Sequence, residues 1–436
     1  MKIKNILLHA VAVSAGIFAF VSCEDYPDAF VATDGKPEVH FIRYTESDCA
    51  INRAYMQETI CLVGDNLRSV HEILFNDKKA SLNTSLITDH TLIVQVPKGL
   101  PNVKTDKLYL ITAASDTVDI DFMVLAPAPI IRSMSCEMVK PGSVATIYGE
   151  YFIEPLTVSF PNAEVTDFKS ISNNEMTFTV PEGALPGKVK VTTESGASAS
   201  PFMYLDNRGI ISDFDGAGNS SSTTGIVPQG WNIKATYSDE GGISGSYVVL
   251  GPSTLDENGS WQEELKLPFW CGNWNGDPMS ITSGPGTPIC NFIDFSDFTN
   301  MSLKFELNIP ESNPWSSGVM QLVFASAARC ANDSWQNNTY IQVKDQVTAG
   351  QGGTLQRGYY APWKETGSFH TNGEWITVTI PFTDFIYDAE GGKGDIPLQG
   401  PEDFASFVLW PWNGGVTGTE CTPIFKIDNI RAVPNK

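Results

Sequence analysis

Aromatic rings are concentrated in one turn-rich stretch of the sequence, residues 355–375. A connecting loop can be built from glycine, asparagine and serine alone, so rings in a loop need another reason. Such rings either cap a core or present a large, partly negative apolar face to a flat ligand. The stretch carries one guanidinium and five rings that are suited to stacking, namely Arg357, Tyr359, Tyr360, Trp363, Phe369 and Trp375.

Further tryptophans lie in polar or glycine-rich segments that could join this surface. Trp335 is flanked by Asn, Asp, Ser and Gln, where an apolar ring has little purpose without a ligand. By contrast, Trp375 alternates with Ile376 and Val378, so it is assigned to a core strand. The adjacent tyrosines should point to opposite faces, one packed and one presented. The predicted binding residues are therefore Trp335, Arg357, Tyr359, Tyr360, Trp363, Trp410 and Trp412.

Residues that would support catalysis or metal binding form no recognisable motif. A carboxylate pair such as Glu-x-Asp-x-x-Glu, which a glycosidase would use, is absent. Gly-x-Ser-x-Gly and zinc-type cysteine spacing are absent too. Residues 213–219 resemble the start of a calcium loop but lack its later glutamate. We expect no catalytic residue, no cofactor and no metal. A glycanase with carboxylates distant in sequence, or an adhesin or assembly protein, remains as an alternative.

Composition restricts the class of protein and of partner. The 436 residues suffice for two to four domains, and 42% hydrophobic with 18% charged residues indicate a globular chain. The formal net charge is −22 and no basic run stands out, which disfavours nucleic acid as a partner. A neutral ligand suits this charge best.

The first residues predict a membrane-anchored, exported protein. Lys2 and Lys4 precede an apolar run, residues 6–21, that is short for a membrane span. The run ends in Phe-Val-Ser-Cys, which resembles a bacterial lipobox. Residues 1–22 would then be a signal peptide, Cys23 the lipidated residue and 23–36 a tether. The acidic residues after Cys23 resemble the surface-export signal of Bacteroidetes lipoproteins, which implies an outer-membrane protein that faces the cell exterior, with contact to the membrane through its lipid only.

Seven cysteines follow Cys23, and an odd number cannot all pair. We assign most of them to buried, unpaired positions and allow one disulfide, such as Cys49–Cys61.

An internal repeat divides the next part of the chain. Residues 60–67 match 145–152, and 96–99 match 180–183, at an offset of about 85 residues. Short strands closed by proline predict two small β-sandwiches, at 37–126 and 127–206. We assign Gly64 and Gly149 to turns that need a positive φ. Both copies resemble the immunoglobulin-like IPT/TIG domain. The second does so through Pro129-Ile-Ile, residues 147–152, Val180-Pro181 and the closing 200–204 segment, and the first has a weaker opening at 37–39 and a shorter close at 122–124. Neither copy suggests chemistry, so both are interpreted as a stiff spacer.

The last part of the chain, residues 207–436, has a different composition. All ten tryptophans lie at or after Trp231, and strands with long Gly/Pro loops predict a jelly-roll β-sandwich. The fold class is therefore all-β throughout. Residues 292–295, 374–385 and 427–430 resemble carbohydrate-binding jelly-roll modules. With the lipobox and the IPT/TIG-like arm, the chain resembles the surface glycan-binding lipoproteins of Bacteroidetes polysaccharide-utilisation loci.

That resemblance implies a function. Such proteins hold a neutral plant polysaccharide, a β-glucan such as xyloglucan or mixed-linkage glucan, for an outer-membrane transporter complex and a surface glycanase. Residues 357–360, Arg-Gly-Tyr-Tyr, resemble the Arg-x-aromatic-aromatic stretch that contacts glucan in the xyloglucan-binding relatives. A pyranose presents a face of C–H groups that stacks on aromatic rings, and flanking polar groups then bond its hydroxyls. The expected protein is a binder and not an enzyme.

Overall fold

A computed structural model describes residues 30–216, 222–230, 232–271, 286–327 and 354–435. The predicted signal peptide, Cys23 and Trp335 lie outside the described residues. Within them no helix is both long and apolar enough to cross a bilayer. The boundary between two compact units falls between Pro127 and Ala128.

The first unit is a small β-sandwich. Its two four-stranded sheets have the orders β2-β1-β4-β7 and β6-β5-β8-β9, and β10 pairs with β3 in parallel. Alternating apolar residues such as Ile60, Leu62, Leu92 and Val94 fill the space between the sheets. The strands are β1 (Glu38–Tyr44), β2 (Ala50–Ile51), β3 (Arg53–Tyr55), β4 (Thr59–Asp65), β5 (Val70–Phe75), β6 (Lys78–Lys79), β7 (Thr91–Gln95), β8 (Lys107–Thr112), β9 (Thr117–Asp121) and β10 (Met123–Leu125).

The second unit begins with another small sandwich. Its sheets have the orders β11-β12-β16-β15 and β14-β13-β17-β18. Phe160, Phe178 and Tyr204 meet edge to face in its core. The strands are β11 (Ile130–Met134), β12 (Val144–Glu150), β13 (Leu156–Phe160), β14 (Ala163–Glu164), β15 (Phe168–Ile171), β16 (Glu175–Thr179), β17 (Lys190–Thr193) and β18 (Gly196–Ala199).

The larger sandwich that follows has two sheets. One has the order β20-β21-β28-β23-β26 with β19 also on β28, and the other has the order β22-β27-β24-β25. The all-β prediction, two small sandwiches followed by a larger one, is confirmed. The elements are β19 (Ile210–Ser212), β20 (Thr236–Ser238), β21 (Tyr247–Leu250), β22 (Leu267–Phe269), β23 (Met301–Asn308), β24 (Val319–Ala325), β25 (Gly358–Tyr360), α1 (Trp363–Thr366), β26 (Ile376–Pro381), β27 (Ser406–Trp412) and β28 (Phe425–Pro434).

The repeated glycines have a different role from the predicted one. Gly64 lies in β4 and Gly149 in β12, and neither has a positive φ. A Cβ on Gly64 would lie 1.9 Å from the Glu38 carbonyl oxygen, and one on Gly149 would lie 2.0 Å from that of Ile130. The prediction of a positive-φ turn at these glycines was wrong, because they permit a close approach of the neighbouring strand. The left-handed residues come two positions later, at Asn66 and Tyr151.

The proposed Cys49–Cys61 disulfide was also wrong. Both are free thiols, Cys49 exposed and Cys61 buried on β4 of the first sandwich.

A buried cluster of charges joins the second small sandwich to the larger one. Arg431 makes a two-point ion pair with Glu306, with Nη1–Oε2 and Nη2–Oε1 distances of 2.7 and 3.1 Å. Glu137 of the second small sandwich accepts from Lys304 Nζ at 2.6 Å and from Arg431 Nη2 at 3.2 Å. All four side chains are at least nine-tenths buried. Two carboxylates and two cations therefore neutralise each other in a region without water.

Trp375 lies at the same boundary and not inside the larger sandwich. Its indole Nε1 donates to the Gly241 carbonyl, and its ring meets Tyr247 edge-on at 5.2 Å. The ring is half-buried against Cys136, Met138 and Ile243. The expected core tryptophan is therefore part of a contact between domains.

We expect Glu137→Ala to destabilise the second unit by about 3 kcal/mol or more, because it leaves Lys304 and Arg431 with excess buried positive charge. Chemical denaturation followed by tryptophan fluorescence measures the change. The control is Lys169→Ala, which breaks the exposed Lys169–Asp167 pair and should cost less than about 1 kcal/mol. Equal effects of the two substitutions would contradict the assigned role of the cluster.

A second prediction concerns pH. Burial raises the pKa of Asp428 to about 8, although hydrogen bonds from Ser244 and the Asn429 amide favour the charged form. In the unfolded chain an Asp pKa is about 4. Between about pH 4 and pH 8 the folded state therefore binds a proton at Asp428 that the unfolded state lacks. In this range the contribution of Asp428 to the free energy of unfolding falls as the pH rises, by up to about 1.4 kcal/mol per pH unit. Above about pH 8 the contribution is constant, because Asp428 is then charged in both states.

Asp428→Asn removes this titration. The difference in free energy of unfolding, variant minus unsubstituted protein, should be more positive at pH 9 than at pH 5. Denaturant titrations at both pH values test this, and an unchanged difference between the two proteins would show that Asp428 is charged when folded.

Candidate functional site

The sheet β22-β27-β24-β25 has two chemically different faces. Antiparallel pairing places Gln321 opposite both Trp410 and Tyr359, and Val319 opposite Trp412, so these side chains share one face. The alternate residues of β24 and β27, such as Leu322 and Leu409, point into the main core. The outward side, called here the aromatic face, consists of Val319, Gln321, Val323, Arg357, Tyr359, Val408, Trp410 and Trp412.

Three tryptophans pack together on the aromatic face, with Trp261 edge to face against the other two. Trp261, from the segment before β22, meets Trp410 at 5.8 Å and Trp412 at 6.3 Å between ring centroids, both edge to face. Trp410 is only 1% exposed, whereas Trp261 and Trp412 are half-buried. Glu263 fixes Trp261 by accepting from its Nε1 at 2.9 Å, and Lys266 Nζ lies 5.4 Å from its ring centroid. Trp410 therefore supports two rings that reach solvent.

A buried amide organises the middle of the aromatic face. Gln321, completely buried, accepts from Arg357 Nη1 at 2.7 Å and donates to the carbonyls of Ala389 and Trp412 at 3.0 and 2.8 Å. Arg357 is also fully buried, and this burial lowers the pKa of its guanidinium to about 10, which still leaves it charged at neutral pH. Arg357 thus holds Gln321 in place through a buried hydrogen bond and does not itself reach solvent.

The loop after β26 adds a second aromatic pair. Tyr387 stacks on Tyr359 with centroids 4.5 Å apart and an interplanar angle of 15°. The Tyr359 hydroxyl donates to the Asp388 carbonyl at 2.6 Å and accepts from the Gly391 amide at 3.0 Å. Burial raises the pKa of Tyr359, so this hydroxyl keeps its proton as a donor. Two rings and a hydroxyl therefore fix residues 387–391 over one edge of the sheet.

Two of the predicted binding residues, Tyr360 and Trp363, lie on the core side of the sheet. Tyr360 faces inward, as the alternation of adjacent tyrosines predicts, with its ring 6.1 Å from that of Trp315. Trp363 starts α1 and is 5% exposed in the main core, with its Nε1 donating to the Gly318 carbonyl at 2.9 Å. The structure thus brings together Arg357, Tyr359, Trp410 and Trp412, while Tyr360 and Trp363 lie on the core side.

Sequence reasoning missed three members of this surface. Trp261, Tyr387 and Gln321 are not among the binding residues that the sequence predicts. A Gln inside the apolar run of β24 was the available signal, since a buried amide must find partners.

The two carboxylates of the acidic segment that the structure describes, Asp213 and Asp215, accept hydrogen bonds from the protein itself. The Asp213 carboxylate accepts from the Thr223 amide at 2.8 Å and from the Ser222 hydroxyl at 3.0 Å. The Asp215 carboxylate accepts from the Ser246 amide at 2.7 Å. In the described parts of the chain no three His, Cys, Asp or Glu side chains are grouped to hold a metal ion.

Comparison with known proteins assigns the larger sandwich to a protein family. Residues 204–434, more than half of the chain, match the family model of the surface glycan-binding protein B xyloglucan binding domain, and residues 129–204 match the IPT/TIG domain. The crystal structure of the surface glycan-binding protein PbSGBP-B from Prevotella bryantii is 36% identical in sequence. It aligns over 93% of this chain and 100% of that one with a TM-score of 0.70.

The chain belongs to the surface glycan-binding protein B family. It is a glycan-binding protein and not an enzyme, in agreement with the sequence analysis, since its relatives are named as glycan-binding proteins. More distant is the SGBP-B from a complex xyloglucan utilization locus in Bacteroides uniformis, at 16% identity, 92% and 100% coverage and a TM-score of 0.40. An IPT/TIG domain-containing protein of Bacteroides ovatus is 29% identical over 146 residues, which are 31% of this chain and 28% of that protein.

We expect Gln321→Leu to destabilise the protein by about 2 kcal/mol or more, because Arg357 loses a buried acceptor and two carbonyls lose their donor. Thermal unfolding and tryptophan emission, which reports on the Trp410 and Trp412 environment, measure the effect. Gln399→Leu, at an exposed position, is the control and should change stability by less than about 0.5 kcal/mol. A Gln321→Leu variant as stable as the control would show that the amide does not organise this face.

Proposed function

We propose that this protein captures a neutral plant β-glucan, with xyloglucan as the first candidate, on the aromatic face of its last domain. The observation that carries the proposal is the trio Trp261, Trp410 and Trp412 on one sheet face of the domain that matches the xyloglucan-binding family model. The polysaccharide would be held without cleavage and passed to other proteins.

The physical basis is stacking. The half-buried rings of Trp261 and Trp412 offer apolar area to the C–H face of a pyranose. Trp410, buried beneath them, keeps them from collapsing onto the sheet. Its Nε1–H is buried and has no hydrogen-bond acceptor among the described residues. Tyr359 lies on the same face, Arg357 supports this face from its buried position through Gln321, and Trp335 is proposed to join the binding rings.

Specificity for a neutral glycan follows from charge. The chain has a formal net charge of −22, so an acidic polysaccharide would be repelled at low ionic strength. Membership in a family of surface glycan-binding proteins supports a position at the cell surface.

The finer location is part of the proposal. The Phe-Val-Ser-Cys motif supports a lipid on Cys23, in the outer membrane and facing outward, and the acidic residues after it support export to that side. The described sandwiches would then present the glycan to an outer-membrane transporter complex and a surface glycanase.

Trp412→Ala should weaken binding to xyloglucan about tenfold or more, because it removes an exposed stacking ring and part of the support of Trp261. Affinity gel electrophoresis and calorimetry with soluble xyloglucan, mixed-linkage glucan and an unrelated α-glucan measure it. Trp375→Ala is the matched control, since this half-buried tryptophan lies at the boundary between domains. Its affinity should be unchanged if melting shows it folded.

Two results would overturn the proposal. One is the absence of binding to any β-glucan by the unsubstituted protein. The other is an equal loss of affinity in Trp412→Ala and folded Trp375→Ala, which would place the site elsewhere.

A further inference from the structure

Tyr387 extends the aromatic face by one more strand position. The Arg357 amide donates to the Tyr387 carbonyl at 3.0 Å, and the Tyr387 amide donates to the Arg357 carbonyl at 3.2 Å. Two residues that exchange both of these bonds lie directly opposite each other in an antiparallel pair, with their side chains on one face of the sheet. Because Arg357 belongs to the aromatic face, the Tyr387 side chain lies on that face too, one step beyond β25.

The Tyr387 ring covers one face of Tyr359. The two rings are stacked, with 4.5 Å between their centroids and an interplanar angle of 15°, so no sugar ring fits between them. The Tyr359 hydroxyl is engaged as well, with the Asp388 carbonyl and the Gly391 amide. Tyr359 is thus a positioning residue, which supports the Tyr387 ring and holds the loop that follows it.

The Tyr387 ring itself stays accessible. It is half-buried, and among the described residues its hydroxyl has no hydrogen-bond partner. A cavity of about 620 Å³ opens beside it, within the range of roughly 300–1,000 Å³ found for small-molecule sites. The exposed side chains of Lys364 and Asp384 line this cavity and supply a donor and an acceptor for sugar hydroxyl groups. Tyr387 therefore combines a flat ring with nearby polar groups.

The two ends of the aromatic face are far apart. The strands β27, β24 and β25 and the segment at Tyr387 are successive neighbours. With about 4.8 Å between neighbours, Tyr387 lies about 14 Å across the sheet from the strand that carries Trp410 and Trp412. A single sugar ring stacked on Trp412 therefore cannot reach Tyr387. Since one sugar unit of an extended β-glucan is about as long as one strand spacing, only a chain of about four or more units can contact both ends.

We propose that Tyr387 is a second stacking site for the main chain of the glucan, across the aromatic face from Trp261 and Trp412, and that the two sites together select long chains over short ones. The inference rests on the proposed function, because the tryptophans must hold the same chain. It replaces Tyr359 by Tyr387 as the ring that contacts sugar beside β25. It also adds a selectivity by chain length that the tryptophans alone do not provide.

The test compares a short and a long unbranched β-glucan, cellotriose and cellohexaose, by calorimetry on the purified protein. Cellohexaose should bind about thirtyfold more tightly, of which about fourfold reflects the larger number of registers in which the longer chain can lie on the tryptophans. Tyr387→Leu keeps an apolar cover on Tyr359 but removes the flat ring. It should lower the preference for cellohexaose to about fourfold and leave the affinity for cellotriose within about twofold.

Further variants separate sugar contact from support. Tyr387→Phe keeps the stacking ring and should bind cellohexaose within about threefold of the unsubstituted protein. Tyr359→Phe keeps the ring beneath Tyr387 but loses the hydroxyl that holds Asp388 and Gly391, so it should weaken the binding of cellohexaose alone, by about threefold. Tyr148→Leu, at an exposed tyrosine of the second small sandwich, is the matched control and should behave as the unsubstituted protein.

The outcomes separate the two proposals. A Tyr387→Leu variant that binds cellohexaose as tightly as the unsubstituted protein, or that loses affinity for both ligands equally, overturns the second stacking site while the proposed function stands. Binding of soluble xyloglucan without binding of cellohexaose does the same, because the proposed site stacks main-chain sugars. Failure of cellohexaose, soluble xyloglucan and mixed-linkage glucan to bind overturns the proposed function and the second stacking site with it.

Discussion

The buried amide of Gln321 is the interaction on which the aromatic face depends. It sits in the middle of β24, completely out of water, with Arg357 on one side and the carbonyls of Ala389 and Trp412 on the other. A buried polar group without partners would cost on the order of 1–3 kcal/mol, so this strand is stable only when β25, the loop around Ala389 and the end of β27 are all in place. One side chain therefore couples the three elements that carry Tyr359, Tyr387 and Trp412.

Close backbone contact through glycine is the second constraint, and it recurs in every sandwich. Gly64 and Gly149 let a neighbouring strand come nearer than a Cβ would allow, at equivalent positions of the two small sandwiches. Gly391 and Gly415 do the same for two loops of the larger sandwich. In the first case the contact closes a core, and in the second it joins two loops beside Tyr359. Similar backbone geometry thus serves packing between strands in one domain and contact between loops in another.

The buried charges at Glu137, Lys304, Glu306 and Arg431 unite two domains of the second unit. Charges out of water are favourable only with good geometry, so the cluster fixes the orientation of the second small sandwich against the larger one more than it adds stability. An aromatic face held in a fixed orientation by a neighbouring domain is suited to a long, stiff ligand such as a β-glucan, since less ordering remains to be done on binding.

The sequence by itself determined the all-β class, the internal repeat and the family resemblance, because alternation, proline-closed strands and motif spacing are local properties. It also identified the chain segments that supply the aromatic face, 357–360 and 410–412. It did not decide which rings reach solvent: Trp363 lies in the core and Trp261 on the aromatic face, although both are tryptophans near strand ends. That choice depends on which side of a sheet a residue occupies and on which distant strand packs there. The loop contact beside Tyr359 is of the same kind: loops some 25 residues apart touch there through glycine, and no local pattern encodes a contact between such distant chain segments.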